Sequence, residues 1–207
     1  MPELVRTQTV SRSAWLELRE EQRLVNDGYE FLDEKRILLA AEMLRQRDAY
    51  RGARKKFVAL CDTAAAALLD AAAVHGLDGL QVHPATELTA AHVHLQTRPC
   101  ISQIMLEARF EAGDTKSMPF PVRPSSEVRR CKKAFHDLLS AGAIVAAMSA
   151  NLKRLCHEYR RTERRVRALE NVVLPEIRDD LAFMEERLDL IEQEEVIRVR
   201  TTRVRTF

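Results

Sequence analysis

The chain has 207 residues, and its 33 Lys and Arg against 31 Asp and Glu give a formal net charge of +2. Hydrophobic residues make up 46% and charged residues 31% of the sequence, a balance that excludes a disordered chain and a membrane-embedded one. The near-neutral charge gives no electrostatic reason to expect a nucleic-acid partner. With only 6 Gly and 7 Pro, the composition favours long helices.

The stretch between Pro2 and Pro84 contains no proline and repeats apolar residues every seven positions. One series is Leu18, Val25, Leu32, Leu39, Gln46, Ala53, Leu60, Ala67 and Val74. The other, four residues later, is Gln22, Tyr29, Arg36, Met43, Tyr50, Phe57, Ala64 and Ala71. These heptads predict one arm of a left-handed coiled coil over residues 8–76, with Gly76 and Gly79 as candidate helix ends.

Residues 77–124 do not continue the heptads. From residue 104 to residue 111 apolar and polar side chains alternate, which predicts a β-strand. Val93 and Leu95 indicate a weaker second strand, so the sequence predicts a small β-hairpin with Arg98–Pro99–Cys100 in its connection. Residues 120–124 are expected to form an extended lead into the next arm.

The second arm is predicted at residues 125–200, followed by a tail at 201–207. Ser125 or Ser126 can cap its start, and Glu127 suits the positive end of a helix. Its apolar stripe runs as far as Ile191 and changes to steps of four residues between Leu169 and Leu181. Pro175 lies inside this irregular part, and we expect a local kink there rather than a helix end.

Two exposed apolar stripes would be unfavourable in water, so the arms are expected to pack on each other. A chain that turns back in its middle gives an antiparallel pair in which the numbers of facing residues sum to about 200. Leu18 should then lie near Met184. The predicted fold is all-α dominated, a long antiparallel two-helix coiled coil with a short β-hairpin middle section, forming one extended domain over residues 1–207.

Motifs that carry chemistry are absent from the sequence. There is no phosphate-binding glycine loop and no nucleophile elbow, so we predict no enzyme activity, no catalytic residue and no cofactor. A metal site is conceivable at His75, His83, His92 and His94. Solvent-facing histidines are favoured instead, because no carboxylate or cysteine stands nearby at ligand spacing.

The remaining features indicate a cytosolic protein. The four cysteines show no CxxC spacing and suit a reducing compartment as free thiols. The first residues have no apolar signal core. The longest strongly apolar run, residues 141–150, is about half as long as a membrane-spanning helix, so direct membrane insertion is not expected.

The least generic pattern is the run from Arg160 to Pro175, RRTERRVRALENVVLP. It resembles a motif of the D subunit of V-type (archaeal and bacterial) ATPases and ATP synthases, with Arg167 in place of an Asn and Leu174 in place of an Ile. The segment Gly28–Arg36 of the first arm is similar to a second family motif, although Asp33 stands where the family usually has Lys. The residues that match the two motifs are Gly28, Leu32, Lys35, Arg36, Thr162, Val166, Ala168, Leu169, Glu170 and Pro175.

The resemblance implies a central rotor shaft in a cytoplasmic sector that is peripheral to the membrane. In the family, the paired termini enter a hexamer of A and B subunits, and the middle section is bound by the F subunit and seated in the C (d-type) socket. Arg161, Arg164 and Arg165 recur at helical spacing and are the candidate contacts with the hexamer. Contacts with F are expected around residues 40–60 and 135–155.

Two other classes share parts of this pattern. A non-rotary coiled-coil scaffold or chaperone would have the heptads without needing both motifs. A nucleic-acid-binding helical hairpin would need a basic face bearing aromatic residues. The arginines at residues 160–167 could bind phosphate, but the neutral total charge favours a protein contact.

Overall fold

The computed structural model describes residues 10–83, 91–101, 103–111 and 125–205, with backbone only for 203–205. Helix α1 spans Arg12–Gln81, strands β1 and β2 span His92–Cys100 and Gln103–Glu111, helix α2 spans Ser126–Ala168, and helix α3 spans Leu174–Arg205. A π-helical segment, Leu169–Val173, joins α2 to α3. The predicted fold class is therefore confirmed. The predicted lead at residues 120–124 lies outside the described residues.

The chain divides into two compact units. The terminal unit comprises Met1–Ile37 with Tyr159–Phe207, and the central unit comprises Leu38–Glu158. That residues 1–207 form one extended domain stays a prediction.

The core of the terminal unit pairs the two arms in antiparallel order. Leu18 of α1 packs with Ile177 and Met184 of α3, and these side chains are 9%, 6% and 2% exposed. Arg12 and Glu192 form an ion pair at the next level outward. The Leu18–Met184 neighbourhood confirms the register that was expected from a symmetric fold-back.

The same register holds inside the central unit. The His75 Nε2 atom lies 2.7 Å from the Ser125 Oγ atom, and a β-carbon placed on Gly142 would lie 3.3 Å from the Phe57 ring. Fully buried leucines at residues 39 and 155 complete the packing. Facing residues here again have numbers that sum to 199 or 200.

Helix α1 follows the heptad pattern nearly throughout. Ser11 caps its start by accepting a hydrogen bond from the Ala14 N–H at 3.2 Å. All residues of the two heptad series are buried or half-buried except Val74, which is 63% exposed. Val74 lies next to Gly76, whose φ of 69° breaks the helical geometry. Gly76 is thus a break inside α1 and not its end, and residues 77–81, which were predicted to belong to the middle section, form the last part of the helix and include Gly79.

The hairpin is confirmed, but its connection is shorter than predicted. Arg98, Pro99 and Cys100 belong to β1, where they pair with Met105, Ile104 and Gln103, and Ile101 begins the turn with a φ of 41°. The sequence prediction placed Pro99 in the connection, but proline is compatible with an edge strand. In a two-stranded ribbon both strands are edges, so a missing N–H at an outward position costs nothing.

Helix α2 starts as predicted and α3 runs further than predicted. Ser125 caps α2 by accepting a hydrogen bond from the Val128 N–H at 3.3 Å. Helix α3 continues through residue 205, although the sequence placed residues 201–207 in a tail. The Thr201 hydroxyl bonds back to the Ile197 carbonyl at 2.6 Å, and neither glycine nor proline interrupts this segment. Ile191, predicted on the inner stripe, is 42% exposed, because it lies at the level where α1 begins.

The irregularity predicted around Pro175 takes the form of the π-helical segment. The Leu174 N–H bonds to the Leu169 carbonyl, five residues earlier, so the turn before the proline is widened. The helix continues on both sides of it.

Two helical stretches, Arg12–Gln81 and Ser126–Thr202, are long and apolar enough to cross a membrane by length and composition. Core helices of soluble proteins also meet this criterion, but only 17% of the apolar window in the first stretch and 11% of that in the second are buried.

Candidate functional site

The segment from Arg160 to Pro175 presents two different faces within the terminal unit. Its inner face carries Thr162 and Val166, which are 2% and 0% exposed, and the half-buried Leu169. These residues follow one another at steps of four and three, which keeps them on one side of the helix. Packing within the terminal unit therefore explains the motif residues Thr162, Val166 and Leu169.

The outer face of the same segment carries the candidate contact residues. Arg161, Arg164 and Arg165 are all exposed, and their spacing places them on one face of α2. None of them forms an ion pair or hydrogen bond with another residue in the described part of the chain. The structure thus brings these three residues together as an unpaired positive surface.

This arrangement carries a local cost. Arg161 and Arg165 are four residues apart, as are Arg160 and Arg164, and like charges at this spacing destabilise a helix by about 0.2–0.5 kcal/mol per pair. Arg167 of the same segment pairs instead with Glu163 at 2.7 Å. An unpaired guanidinium offers a planar donor fork to a carboxylate or a phosphate. The arginine face is therefore suited to an acidic partner surface.

The motif residues of α1 divide in a similar way. Leu32 is half-buried in the heptad series, and Arg36 forms an ion pair with Asp33 at 2.6 Å. Asp33 and Arg36 therefore neutralise each other within this segment. Gly28 is half-buried, and no atom of the described residues lies within 4 Å of a β-carbon placed on it, its chain neighbours and local helix backbone excepted.

The histidines show no metal geometry. His94 lies 3.3 Å from Glu111, and the His75 and His83 rings meet edge to face at 5.2 Å between centroids. No group of three or more His, Cys, Asp or Glu could hold a metal ion within the described ranges. The four cysteines are free thiols, as predicted.

Two buried polar residues that sequence reasoning missed hold the hairpin to the helices. Asn151 of α2 is 4% exposed; its side-chain amide accepts a hydrogen bond from the Leu106 N–H at 2.8 Å and donates one to the Leu106 carbonyl at 2.7 Å. Arg154 donates to the Ile104 carbonyl at 3.3 Å on the same strand edge. No signal pointed to this role, because Asn151 stands beside the predicted apolar stripe of the second arm, which runs through Met148, Leu152 and Leu155.

Glu42 of α1 is the second of these residues and is 9% exposed. Its carboxylate accepts hydrogen bonds from Arg45 at 2.7 and 2.8 Å and from Gln46 at 2.8 Å. The Arg45 guanidinium above all, with Gln46 and the Cys100 thiol of β1, keeps the pKa of Glu42 below its usual value despite its burial. Burial raises the pKa of the Cys100 thiol, and the Glu42 charge raises it further. The Glu42 carboxylate of α1 thus lies close enough to the Cys100 thiol at the tip of the hairpin for each group to affect the pKa of the other.

Comparison with known proteins identifies the family. The family of the ATP synthase D subunit matches residues 14–203. The chain belongs to this family. The D subunit of the Thermus thermophilus V-type ATP synthase is 31% identical over 195 residues, covering 92% of this chain and 85% of the relative.

Two further relatives support the assignment along nearly the whole chain. The D subunit of the Thermotoga neapolitana V-type ATP synthase is 23% identical, covering 92% of this chain and 94% of the relative. The D subunit of the Pyrococcus abyssi A-type ATP synthase is 26% identical, covering 97% and 94%. The resemblance drawn from the two sequence motifs is confirmed, and the chain is a subunit of a rotary ATP synthase or ATPase.

Proposed function

We propose that this chain is the central rotor shaft of its complex and couples ATP turnover in a hexamer of A and B subunits to ion translocation. The observation that carries this proposal is the unpaired arginine face of α2, opposite a tightly packed inner face. Arg161, Arg164 and Arg165 lie side by side on the exposed side of the family motif without counter-charges from the described residues, and a partner surface can supply those charges.

The charge of the terminal unit differs from one side to the other, as a rotor requires. Helix α2 presents the arginine face, whereas α1 presents Glu20, Asp27 and Glu34, all exposed. Each angular position of such a shaft offers a different charge to the surrounding interfaces and so favours a different state of each one. The chain itself is proposed to be non-catalytic and to use no cofactor.

The proposed partners follow from the family. They are the A and B subunits around the terminal unit, the F subunit near residues 40–60 and 135–155, and the C (d-type) socket. Nucleic acid is not a proposed partner, since the basic face is matched by an acidic one in the same unit. The proposed location is cytoplasmic and peripheral to the membrane, without direct insertion.

The test is charge reversal in a reconstituted complex of A, B, F and this chain. Arg161→Glu, Arg164→Glu and Arg165→Glu together should impair the coupling of ATP hydrolysis to rotation, measured by single-molecule rotation and ATPase assays. The matched control is Arg129→Glu, Arg130→Glu and Lys133→Glu, also exposed residues of α2 but in the central unit. Circular dichroism of the isolated variants checks that both remain helical.

Three outcomes would overturn the proposal. Unchanged coupling in the folded triple variant would remove these arginines from the mechanism. Equal impairment by the control would show a general charge effect. ATP hydrolysis by the purified chain alone would contradict a non-catalytic shaft.

A further inference from the structure

The outer face of α1 in the terminal unit alternates large apolar and acidic side chains. Residues at steps of three or four lie on one side of a helix, facing away from the inner heptad series. In order they are Leu16, Glu20, Leu24, Asp27, Phe31 and Glu34. The exposed Arg23 stands at the edge of the same face, three residues after Glu20 and four before Asp27. The three apolar side chains are 59%, 64% and 66% exposed. The acidic ones form no ion pair with another described residue.

Gly28 opens a gap beside this face. It follows Leu24 by four residues and precedes Phe31 by three, so it lies between them on the helix surface. Glycine is unfavourable inside a helix compared with alanine, and a β-carbon at Gly28 would contact no other described side chain within 4 Å. The packing of the chain on itself therefore gives no reason for a glycine here.

We propose that this outer face of α1 binds an amphipathic α-helix of another subunit, with positive charges flanking its apolar stripe. The proposal rests on the proposed function, since it requires assembly with other subunits. Leu24 and Phe31 are seven residues apart, the spacing at which a helix receives the side chains of a partner helix. The gap at Gly28 lets the partner's backbone approach closely.

The charges on the outer face of α1 indicate which kind of partner binds there. Three carboxylates against the single guanidinium of Arg23 leave the face acidic, and an acidic face favours a partner helix that carries Lys or Arg at matching positions. A second copy of this chain would place its own carboxylates against them, and like charges at such distances are unfavourable. The acidic face equally disfavours nucleic acid.

The first experiment places a photoreactive amino acid at Phe31 in the complex assembled from A, B, F and this chain. The cross-linked peptide is identified by mass spectrometry, and the same probe at the exposed Glu186 of α3 is the control. We expect Phe31 to cross-link to a helical segment that bears basic residues three or four positions apart. A cross-link to a second copy, to a non-helical or acidic segment, or no cross-link from Phe31 in an assembled complex would overturn the proposal.

The second experiment uses a pair of matched glycines. Gly28 and Gly52 are both inside α1, and neither has a described atom within 4 Å of an added β-carbon apart from the chain neighbours and local helix backbone, but Gly52 lies away from the face. Gly28→Gln and Gly52→Gln should each raise the helicity of the isolated chain. When a variant competes with labelled wild type for limiting A and B in the absence of F, whose proposed contacts include residue 52, Gly28→Gln should be incorporated about tenfold less well and Gly52→Gln equally well.

Equal incorporation of the two glutamine variants would refute the close approach at Gly28. The acidic residues are tested by Asp27→Asn with Glu34→Gln, which should lower incorporation and make it less sensitive to salt; an unchanged salt dependence would refute the charge match. Failure of the wild-type chain itself to assemble with A, B and F would refute the proposed function instead, so the two failures are distinguishable.

Discussion

Asn151 offers the sharpest test of how the central unit is held together. Its amide bonds to both the N–H and the carbonyl of Leu106, so it takes the place that a neighbouring strand would occupy at the edge of β2. Asn151→Ala removes both bonds while leaving the helix intact, since alanine is the best helix former.

The expected cost can be worked from the two groups that lose their partners. A buried donor or acceptor left unsatisfied costs about 1–3 kcal/mol. Leu106 is half-buried, so water will reach part of the released groups, and we expect about 2–3 kcal/mol in total. For a chain of this size that corresponds to a fall in Tm of about 4–12 °C.

Hydrogen exchange localises the effect. If the Leu106 amide exchanges by release of the hairpin, the variant should exchange about 30- to 140-fold faster than wild type. Asn151→Asp should be no better than alanine, because its second oxygen faces the Leu106 carbonyl and cannot donate. Gln193→Ala, which removes an exposed carboxamide from α3, is the control and should change stability by no more than about 0.5 kcal/mol.

The reasoning is refuted if Asn151→Ala costs no more than the Gln193→Ala control. It is also refuted if stability falls while exchange at Leu106 is unchanged, because the loss would then arise in the helix packing and not at the strand edge.

Three further predictions test the packing of the two units. Leu155→Ala removes a side chain that is 0% exposed and should cost about 2–5 kcal/mol in urea unfolding, whereas Leu190→Ala, 45% exposed, should change stability by about 0.5 kcal/mol or less. In a background without the native cysteines, Leu18→Cys with Met184→Cys should oxidise to an intrachain disulfide visible on a non-reducing gel, and Leu18→Cys with Leu138→Cys should not. Hydrogen bonds from Ser126, from the backbone of Glu127 itself and from Ser125 lower the pKa of Glu127 to about 2. A carboxylate whose pKa is lower in the folded state stabilises the protein at pH values above its unfolded pKa, and this stabilisation is lost as the pH falls through the folded pKa. The contribution of Glu127 to wild-type stability should therefore disappear between about pH 5 and pH 2. The thermal unfolding of Glu127→Gln should depend less on pH in that window, and an equal dependence in both proteins would contradict the role of Glu127.

Local periodicity predicted most of the helical architecture. The two heptad series identified the buried side of α1, because a seven-residue repeat fixes which side chains can face a partner helix. The fold-back register needed one further assumption, a turn near the middle of the chain, and the neighbourhood of Leu18 and Met184 agrees with it. The serine cap of α2 was predicted because it depends on neighbours in sequence alone.

The hairpin shows where such reasoning stops. Alternation correctly predicts that Leu106, Ala108 and Phe110 share the more buried side of β2. At the tip of the hairpin the pattern of burial is reversed, because the Met105 side chain is 2% exposed and the Ile104 side chain is 58% exposed. A pattern of period two distinguishes the faces of a strand but not the element that covers each face. Contacts such as Asn151 with Leu106 join residues 45 positions apart, and no local pattern encodes them.

The arginine face was predictable as a surface, but not as an unpaired one. Spacing alone places Arg161, Arg164 and Arg165 on one side of α2, whereas the absence of counter-charges depends on which acidic residues α1 and α3 bring alongside. Glu163 pairs with Arg167, and no acidic residue in the described part of the chain forms an ion pair with any of the three arginines.

The π-helical segment explains how one helix can obey two different repeats. Each four-residue step of the apolar stripe advances about 40° beyond a full turn of an α-helix, so the three steps from Leu169 to Leu181 would rotate the stripe by about 120° away from its partner. A turn closed by a bond over five residues holds more residues and therefore winds back part of that rotation. The segment Leu169–Val173 lies within this irregular stretch, and Leu174 and Ile177 after it are 5% and 6% exposed. Pro175 fits the same solution, because its missing N–H falls where the regular hydrogen-bond ladder is already interrupted. The irregular spacing and the proline are thus both accommodated by the π-helical segment, which keeps α3 packed in the terminal unit while α2 presents its arginines outward.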